Sequence, residues 1–323
     1  MKAILVTGGA GYIGSHIIEL LIKKNFKVFI VDNLSTGYKK LINKKAKFYK
    51  ADINNDKLIR KIIQSNNIES IIHLAGKISI LESEKKPKSY YKNNVQGTLN
   101  LLKASRNTSV KNFIFSSTAA VYNEKISHVT EASKTTPKSV YGLTKLKCEM
   151  LIKKKFKKNY AILRYFNVVG ASPSKKIGQI NKNGQLFKNL SLAIKNKKPV
   201  FNIYGNNYKT FDGTCIRDYI HVCDLADIHI KTLIKINTLN KSITLNCGYG
   251  KGFSVYQVVN KFKKYSKSKV KINIKERRRG DLVKMVAKIN NLKKFLKWKP
   301  KFNNLEKMVK SSVNWEKKLN NYW

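Results

Sequence analysis

The chain has 323 residues, of which 42% are hydrophobic, and its 66 basic and 18 acidic residues give a formal net charge of +48. This length allows two domains with a sizeable core. No uninterrupted apolar run approaches the roughly 18 residues of a transmembrane helix, and the start lacks a signal-peptide pattern, so we expect a cytoplasmic protein with no membrane partner.

The positive charge has two explanations. A basic protein can bind nucleic acid or an anionic membrane, or its lysines can reflect codon bias toward A and T. Seven of the basic residues are arginine and 59 are lysine, and the lysines are spread along the chain rather than collected in one helix or strand. This distribution favours codon bias, and we expect no specific nucleic-acid partner.

The first predicted element is a buried strand followed by a glycine-rich turn. Residues 2–7 are mostly apolar, which is typical of a parallel strand buried on both faces. Three glycines then follow at the spacing that lets a backbone approach a pyrophosphate and pack the next helix against the sheet. That helix, predicted over residues 14–24, directs its amino-terminal dipole at the phosphate. The residues predicted to contact a dinucleotide here are Gly8, Gly11, Tyr12, Ile13 and Gly14.

The second predicted strand ends in an acidic residue. Residues 27–31 are mostly apolar and lead into Asp32, which lies 18 residues after Gly14. A carboxylate at this distance binds the ribose hydroxyls of a dinucleotide and repels a 2′-phosphate. The sequence therefore predicts NAD rather than NADP as cofactor, with Asn33 as a further contact.

Strand and helix patterns continue to alternate through the first half. Strands are predicted over residues 47–50, 68–74, 113–117 and 160–166, and a long helix from Pro87 to about Arg106. Repeated strand–helix–strand units imply an α/β fold with a Rossmann-like, doubly wound parallel sheet. Such sheets bind ligands at the carboxyl ends of their strands. Further predicted cofactor contacts at that edge are Asp52, Ile53, Ala75, Gly76 and Asn93.

A tyrosine and a lysine supply the predicted chemistry. Tyr141 and Lys145 stand four residues apart where a helix can begin, so both side chains would lie on one helical face. An ammonium group beside a phenol makes the phenol a better proton carrier. Such a pair can also arise by chance in a lysine-rich chain, and Tyr265 and Lys269 form a second one.

Hydroxyl groups at the end of the fifth predicted strand distinguish the first pair from the second. Ser116, Ser117 and Thr118 lie where this strand reaches the ligand edge of the sheet. Serine in such a place often serves only turn geometry, and Thr118 is the predicted catalytic hydroxyl.

Together these motifs resemble the extended short-chain dehydrogenases/reductases. Residues 164–167, 212–222 and 278–281 further resemble the UDP-glucose 4-epimerases of the NAD-dependent epimerase/dehydratase family, and the resemblance runs from residue 1 to about residue 300. It implies that NAD stays bound through turnover, that UDP-glucose and UDP-galactose are interconverted, and that the protein is a homodimer.

The resemblance also implies roles for individual residues. Tyr141 would remove the proton of the sugar 4′-hydroxyl while C4′ gives a hydride to NAD. Lys145 would hydrogen-bond the nicotinamide ribose and, with the positive nicotinamide ring, lower the pKa of Tyr141. Thr118 would hold the 4′-oxygen or relay its proton. The residues it assigns to the UDP-sugar, besides Thr118, are Asn167, Gln185, Leu186, Tyr204, Arg217, Arg278 and Asp281. No metal is expected.

Two positions depart from the family pattern. Ile78 stands where family members often place a lysine against the cofactor ribose, with Lys77 beside it. Met285 stands where the family limits the bulk of the 2′-substituent of the sugar. Because methionine is flexible, N-acetylated UDP-hexoses remain open as substrates.

The predicted organisation has an NAD-binding domain and a smaller α/β cap domain that binds the UDP-sugar. The first comprises residues 1–168 with a return segment at about 218–246, and the second comprises residues 169–217 and 247–323. One alternative is a 4-epimerase of UDP-GlcNAc, UDP-glucuronate or a UDP-pentose. A different class is a non-catalytic NAD-binding regulator or a nucleic-acid binder.

Two other chemistries are disfavoured by the sequence. A 4,6-dehydratase needs an acidic pair after the catalytic hydroxyl, and Ala119 and Ala120 stand there. His221 and Cys223 could share a metal ion, but no second pair of ligands accompanies them.

Overall fold

The computed structural model describes residues 2–181, 185–196, 198–278 and 280–319. Arg279, which belongs to one of the family-like segments, lies outside the described residues.

The chain alternates strands and helices, as the sequence pattern predicts. The strands are β1 (Ala3–Thr7), β2 (Lys27–Asp32), β3 (Lys47–Lys50), β4 (Ser70–His73), β5 (Asn112–Thr118), β6 (His128–Val129), β7 (Asn159–Tyr165), β8 (Asn167–Val169), β9 (Val200–Tyr204), β10 (Ile216–His221), β11 (Ile243–Cys247), β12 (Gly252–Ser254), β13 (Lys271–Lys275) and β14 (Lys284–Ala287). The helices are α1 (Tyr12–Lys23), α2 (Asp56–Ser65), α3 (Ile80–Lys85), α4 (Pro87–Tyr90), α5 (Gly97–Ser105), α6 (Val140–Lys155), α7 (Leu186–Ala193), α8 (Val222–Leu239), α9 (Val255–Ser266), α10 (Asn290–Leu296) and α11 (Leu305–Leu319).

A seven-stranded parallel sheet organises the first half, with strand order β11-β7-β5-β4-β1-β2-β3. Its central strands are apolar runs buried on both faces, as in β1, whose five residues are all buried. One face packs against α1 and α8. The other packs against α2, α5 and α6. The predicted Rossmann-like, doubly wound α/β fold is confirmed.

The strand order reverses direction at β1, which pairs with β2 on one side and β4 on the other. Chain connections leave a crevice at such a point, beyond the carboxyl ends of the two strands. The loop after β1 carries the glycine-rich turn, and the loop after β4 carries Ala75 and Gly76. The topology therefore brings the predicted cofactor loops together.

The edge strand of this sheet comes from late in the chain. β11 pairs in parallel with β7, and α8 before it packs on α1. β10, in contrast, pairs with β8, β12 and β14 in a second sheet. The predicted return segment, at about residues 218–246, thus begins within β10 rather than at α8, and the two-domain division stays a proposal.

The remaining elements enclose a smaller core of their own. β9 and β13 form a two-stranded parallel sheet, and helices α7, α9 and α11 contribute buried apolar side chains around it. The residues at its centre include Phe187, Leu190, Ile203, Phe262 and Val309.

The long helix predicted from Pro87 to about Arg106 is interrupted. A π-helical segment, Tyr91–Gln96, separates α4 from α5. Hydrophobic periodicity cannot reveal such a widened turn, which occurs frequently at functional sites. Within it Asn94 is only 2% exposed. Its side-chain oxygen accepts the backbone N–H of Lys77, and its side-chain nitrogen donates to the backbone C=O of Lys77.

The second tyrosine–lysine pair does not share a helix face. Tyr265 lies in the last turn of α9, which ends at Ser266, and Lys269 follows that end. His221 and Cys223 are neighbours at the start of α8, where the His221 ring accepts the Cys223 backbone N–H. In the described part of the chain no cluster of three metal-ligating side chains occurs, nor does any helix with the length and apolar content needed to span a bilayer.

Candidate active site

The glycine turn is fitted closely against the loop after β4. Gly8 has a positive φ of 74°, and a Cβ built on it would lie 2.6 Å from the Ala75 backbone nitrogen. A Cβ on Gly14 would lie 2.4 Å from the Gly8 carbonyl oxygen. Side chains at either position would force these backbones apart, so the cradle depends on glycine. Tyr12 and Ile13 begin α1 directly above the turn.

Asp32 ends β2 inside this cradle. One carboxylate oxygen accepts the Ala10 N–H at 3.0 Å and the other accepts the Leu34 N–H at 2.8 Å. Burial raises the pKa of Asp32, and these two bonds oppose that rise. A carboxylate can accept about four hydrogen bonds, so room for ribose hydroxyls remains. Asn33 donates to Asp52 at 3.0 Å, which brings these two predicted contacts together.

Gly76 lies between the cofactor loops and the catalytic helix. A Cβ on Gly76 would stand 3.3 Å from Asn94 Oδ1 and 3.6 Å from Lys145 Nζ. Asn93, the predicted cofactor contact, donates to the same Asn94 oxygen at 3.0 Å. Asn94 Nδ2 reaches Thr144 on α6 at 3.1 Å. Sequence reasoning missed this central role of Asn94, because only the π-helical turn directs its side chain there.

The start of α6 is held by two sets of hydrogen bonds. Ser139 caps the helix by accepting the Gly142 N–H at 3.1 Å. Ser83 and Glu84 of α3 accept the N–H groups of Tyr141 and Val140 at 3.1 and 2.9 Å. These acceptors satisfy N–H groups that a helix start leaves free, and they fix the backbone of the predicted base.

The three predicted catalytic residues come together at this point. The hydroxyl of Thr118 lies close enough to the phenol of Tyr141 to lower its pKa. Lys145 is only 3% exposed, and its Nζ lies 3.4 Å from Ser116 Oγ and 4.6 Å from the centre of the Phe115 ring. Ser116 is therefore a contact of the lysine. Ser117 instead donates to Glu149 at 2.5 Å, and Glu149 forms a buried ion pair with Arg164.

In the protein without a cofactor, burial is the largest influence on the pKa values of Tyr141 and Lys145. Burial raises the pKa of Tyr141 to about 12, against a smaller lowering by Thr118. Burial also lowers the pKa of Lys145 to about 8. The predicted lowering of the Tyr141 pKa by Lys145 together with the positive nicotinamide ring concerns the NAD-bound protein and stays a prediction.

Ile78 occupies the position at which family members often place a lysine. Ile78 is 49% exposed, whereas Lys77 pairs with Glu82 at 3.8 Å and lies over the Tyr90 ring. Neither side chain replaces a lysine directed at the cofactor.

Two pairs of predicted substrate residues come together in the second half. The guanidinium of Arg278 lies 3.8 Å from the centre of the Tyr204 ring. Arg217 lies 3.8 Å from Asp281 and donates to the Leu282 carbonyl at 2.7 Å. Arginine in such a setting can bind paired diphosphate oxygens, and the aromatic ring can stack a base.

The other predicted substrate residues occupy separate places. Asn167 starts β8, which one residue separates from the end of β7, and donates to the Asp218 carbonyl at 3.0 Å. Gln185 is the N-cap residue of α7, and Leu186 packs against the core of the second half. Met285 is only 5% exposed, so little of its surface is available to a sugar.

The cofactor loops fit a dinucleotide. A close backbone cradle precedes the start of a 12-residue helix, an acid follows at the end of the next strand, and a buried lysine faces the crevice. These are the features that bind pyrophosphate and ribose groups in such sheets.

Comparison with known proteins agrees with this arrangement. The sequence profile of the NAD dependent epimerase/dehydratase family matches residues 4–248. A UDP-glucose 4-epimerase of Azospirillum brasilense is 37% identical over 321 residues, covering 98% of this chain and 92% of the relative.

Solved structures show the same similarity. A UDP-glucose 4-epimerase of Stenotrophomonas maltophila, with bound NAD and formylated UDP-arabinopyranose, superposes with a TM-score of 0.96 at 32% identity and full coverage of both chains. A UDP-Glc/GlcNAc 4-epimerase of Campylobacter jejuni gives a TM-score of 0.86 at 36% identity, covering 98% of this chain and 100% of that one.

Proposed function

The chain belongs to the NAD dependent epimerase/dehydratase family, and on this basis we propose that it inverts C4 of a UDP-hexose, interconverting UDP-glucose and UDP-galactose. The observation that carries the proposal is the grouping of Thr118, Tyr141 and Lys145 beside the glycine cradle. A proton carrier at the cofactor crevice is what this grouping supports, and a purely binding protein does not need one.

The proposed reaction passes through a 4-keto sugar. NAD, when bound, supplies uptake and return of the C4 hydride and brings positive charge beside the phenol. Tyr141 takes the proton of the 4′-hydroxyl and later gives it back. Thr118, whose hydroxyl lowers the pKa of the phenol, holds the 4′-oxygen between these transfers. The sugar must present its other face before the return step, so the cap has to permit rotation.

Ionising Tyr141 is the demanding part of this scheme. With a pKa of about 12, the phenol resists ionisation at pH 7 by about 7 kcal/mol, since each pKa unit is worth about 1.4 kcal/mol. Lys145, one turn along the helix, contributes a positive charge to offset this. The ammonium of Lys145 lies 3.6 Å from a Cβ built on Gly76, which supports its proposed contact with the cofactor ribose.

The residues proposed to hold NAD are those predicted from the sequence. The glycine turn with Tyr12 and Ile13 would take the pyrophosphate, and Asp32 and Asn33 the adenosine ribose. Further contacts proposed along the same edge are Asp52, Ile53, Ala75, Gly76 and Asn93.

The residues proposed to hold the UDP-sugar lie mainly in the second half. Arg217 and Arg278 would neutralise the diphosphate, Tyr204 would stack the uracil, and Asp281 would accept a ribose hydroxyl. Asn167, Gln185 and Leu186 complete the proposed site.

The identity of the sugar is a narrower proposal. The relatives include a UDP-Glc/GlcNAc 4-epimerase and a protein holding a formylated UDP-arabinopyranose. The nearly buried Met285 offers little surface to a sugar, so it does not limit the 2′-substituent and N-acetylated UDP-hexoses stay open as substrates. A 4-epimerase of UDP-GlcNAc, UDP-glucuronate or a UDP-pentose is the second candidate.

We further propose a cytoplasmic homodimer without a nucleic-acid partner. The four cysteines are free in the structure, which fits a reducing compartment. Light scattering of purified protein tests the dimer. A gel-shift series in increasing salt tests whether the +48 charge binds nucleic acid beyond screened attraction.

The decisive experiment incubates purified protein separately with UDP-galactose, UDP-GalNAc and UDP-galacturonate and separates the epimers. The expected result is rapid formation of UDP-glucose. Formation of another epimer alone would move the assignment to the second candidate. If no sugar is converted although NAD is bound, the protein is a non-catalytic NAD-binding regulator and the proposal fails.

A further inference from the structure

Residues 170–181, which follow β8, lie against the loop that follows β2. We call residues 170–181 the strap. The loop, residues 33–41, is called the adenosine loop because it begins with the proposed ribose contact Asn33. The strap starts at Gly170, whose carbonyl accepts the phenol proton of Tyr12 at 2.6 Å. No residue of the strap belongs to the proposed binding residues.

Two hydrogen bonds join the end of the strap to the adenosine loop. The side-chain nitrogen of Asn181 donates to the Thr36 carbonyl at 2.9 Å, and its side-chain oxygen accepts the phenol proton of Tyr38 at 2.7 Å. Because a carbonyl only accepts, the Thr36 bond fixes the orientation of the amide, and the oxygen then has to face Tyr38. These two bonds are called the clasp.

A small hydrophobic core holds the strap against both halves of the protein. It draws side chains from the adenosine loop, the strap and α11, and it is separate from the cores on the two faces of the first sheet. Its buried members are Leu41, Ala171, Ile177, Trp315 and Leu319. The indole nitrogen of Trp315 also donates to the Gln179 carbonyl of the strap at 2.8 Å. The strap is thus anchored on the cap, and its clasp reaches the cofactor half.

The adenosine loop is in turn tied to the glycine turn and to Asp32. The backbone N–H of Tyr38 donates to the Ala10 carbonyl at 3.0 Å, and the Ala10 N–H donates to the Asp32 carboxylate at 3.0 Å. A Cβ built on Gly37 would lie 3.0 Å from both carboxylate oxygens of Asp32. A movement of the loop at Tyr38 therefore moves the backbone that lies beside the proposed ribose acceptor.

We propose that Tyr38 and Asn181 are positioning residues whose clasp keeps the adenosine loop closed beside Asp32 and so sets the rate at which NAD leaves the protein. This inference rests on the cofactor site of the proposed function and not on the identity of the sugar. It gives the cap a part in cofactor retention, because the loop opens only when a strap anchored on the cap releases it.

The clasp is remote from the proposed chemistry. Asp32 ends β2 and Thr118 ends β5, and β1 and β4 lie between these two strands. Neighbouring strands are about 4.8 Å apart, so three spacings separate the two strand ends by about 14 Å. Loss of the clasp should therefore change cofactor release and leave turnover unchanged when NAD is in excess.

The test measures release of NADH from the full-length protein. The protein is loaded with NADH, an excess of NAD is added, and the loss of bound NADH fluorescence gives the release rate. The variants are Tyr38→Phe, Asn181→Ala and the double variant. Tyr265→Phe is the matched control, since it also removes a tyrosine–asparagine bond, to Asn314 at 3.2 Å, but between α9 and α11. Circular dichroism confirms that each variant folds.

Each lost hydrogen bond should speed release by a similar factor. We expect release about fivefold faster in Tyr38→Phe and about 20-fold faster in Asn181→Ala, which loses both bonds. The double variant should release NADH at the rate of Asn181→Ala, because the hydroxyl acts through the amide. Tyr265→Phe should keep the wild-type rate, and kcat and KM with NAD in excess should stay at their wild-type values in every variant.

The inference is overturned if folded Tyr38→Phe and Asn181→Ala both release NADH at the wild-type rate, or if Tyr265→Phe speeds release as much as they do. It also fails if the double variant adds the full effect of Tyr38→Phe to that of Asn181→Ala, since Tyr38 would then act without Asn181. If Asn181→Ala does not fold, the comparison of Tyr38→Phe with Tyr265→Phe decides. A wild-type protein that binds no NADH would instead overturn the proposed function itself.

Discussion

The two halves of the protein hold their proposed ligand groups in different ways. In the cofactor half, positions follow from backbone and burial. A Cβ built on Gly8 would lie 2.6 Å from the Ala75 nitrogen, and Asp32 is held by two backbone N–H groups. In the cap half, Arg217 and Asp281 face each other at 3.8 Å, and their side chains are 16% and 32% exposed.

The cofactor half is therefore preorganised for its ligand, and the cap half is not. The cofactor groups are held by the backbone of the protein itself, without a ligand. The cap groups satisfy one another, so a UDP-sugar has to exchange those contacts for its own, and only the surplus appears as affinity. Substitutions in the first half should therefore affect folding, cofactor and chemistry, whereas those in the second should affect substrate affinity.

The largest expected effect is on turnover, from Tyr141→Phe. Because a positioned general base contributes about 10²- to 10⁴-fold, kcat should fall by about 10³-fold. NAD should stay bound, since the change removes only the hydroxyl. Turnover is measured by epimer separation and NAD by absorbance after denaturation. Near-wild-type turnover would show that Tyr141 is not the base, and Tyr265→Phe should stay fully active.

Next is the loss of the cradle in Gly8→Ala. The added Cβ meets the Ala75 backbone at a positive φ of 74°, so we expect about 3 kcal/mol less stability and loss of bound NAD. Stability is measured by urea unfolding.

Gly280→Ala is the matched control for this change. Its φ is 85° and nothing lies within 4 Å of the added Cβ, so only the backbone strain of about 1 kcal/mol should appear. Equal losses in both variants would show that close approach at Gly8 contributes nothing.

A smaller effect is expected in the pH dependence of stability. Burial lowers the pKa of Lys145 from 10.5 to about 8, so between these pH values the unfolded chain binds the extra proton. Stability then rises with pH across this window, and the contribution of Lys145 between pH 8 and pH 10 is about 2 kcal/mol.

The measurement is urea unfolding of wild type and Lys145→Met without added cofactor at several pH values. The difference in unfolding free energy between the two proteins should change by that amount over the window. A constant difference would mean that the lysine titrates normally in the folded chain.

The smallest expected effect tests the cap half. Arg278→Gln removes the guanidinium over Tyr204, and we expect KM for the UDP-sugar to rise about tenfold with kcat nearly unchanged, as for loss of uniform binding. Arg277→Gln is the control in the same run, since Arg277 instead packs on Tyr208. A fall in kcat with unchanged KM would contradict the expectation that substitutions in the cap half affect substrate affinity rather than chemistry.

The cofactor half was largely predictable because its signals are local. Apolar runs ending in glycines, an acid or hydroxyls predict parallel strands whose ends share one edge, and the doubly wound sheet is confirmed. The grouping of Tyr141, Lys145 and Thr118 could be predicted because the start of a helix and the end of a strand fix their positions.

What the sequence could not predict depends on long-range packing. The π-helical turn at Asn94 leaves no trace in periodicity. The raised pKa of Tyr141 arises from burial, which a motif does not show. Tyr165 and His229 are 64 positions apart, and only the return of α8 to the first sheet brings them into contact. In the cap half, Asn167 could be placed near a strand end, but its β8 pairing with β10 could not.

The order of the first sheet has a consequence for synthesis on the ribosome. β7 is complete by Tyr165, yet its partner β11 ends only at Cys247. While the intervening residues emerge, β7 presents an unpaired edge, which is a template for association with other chains. At about 5 to 20 residues per second, that interval lasts several seconds. Truncation after β8 would make it permanent, so shortened chains should aggregate rather than fold as a free cofactor domain.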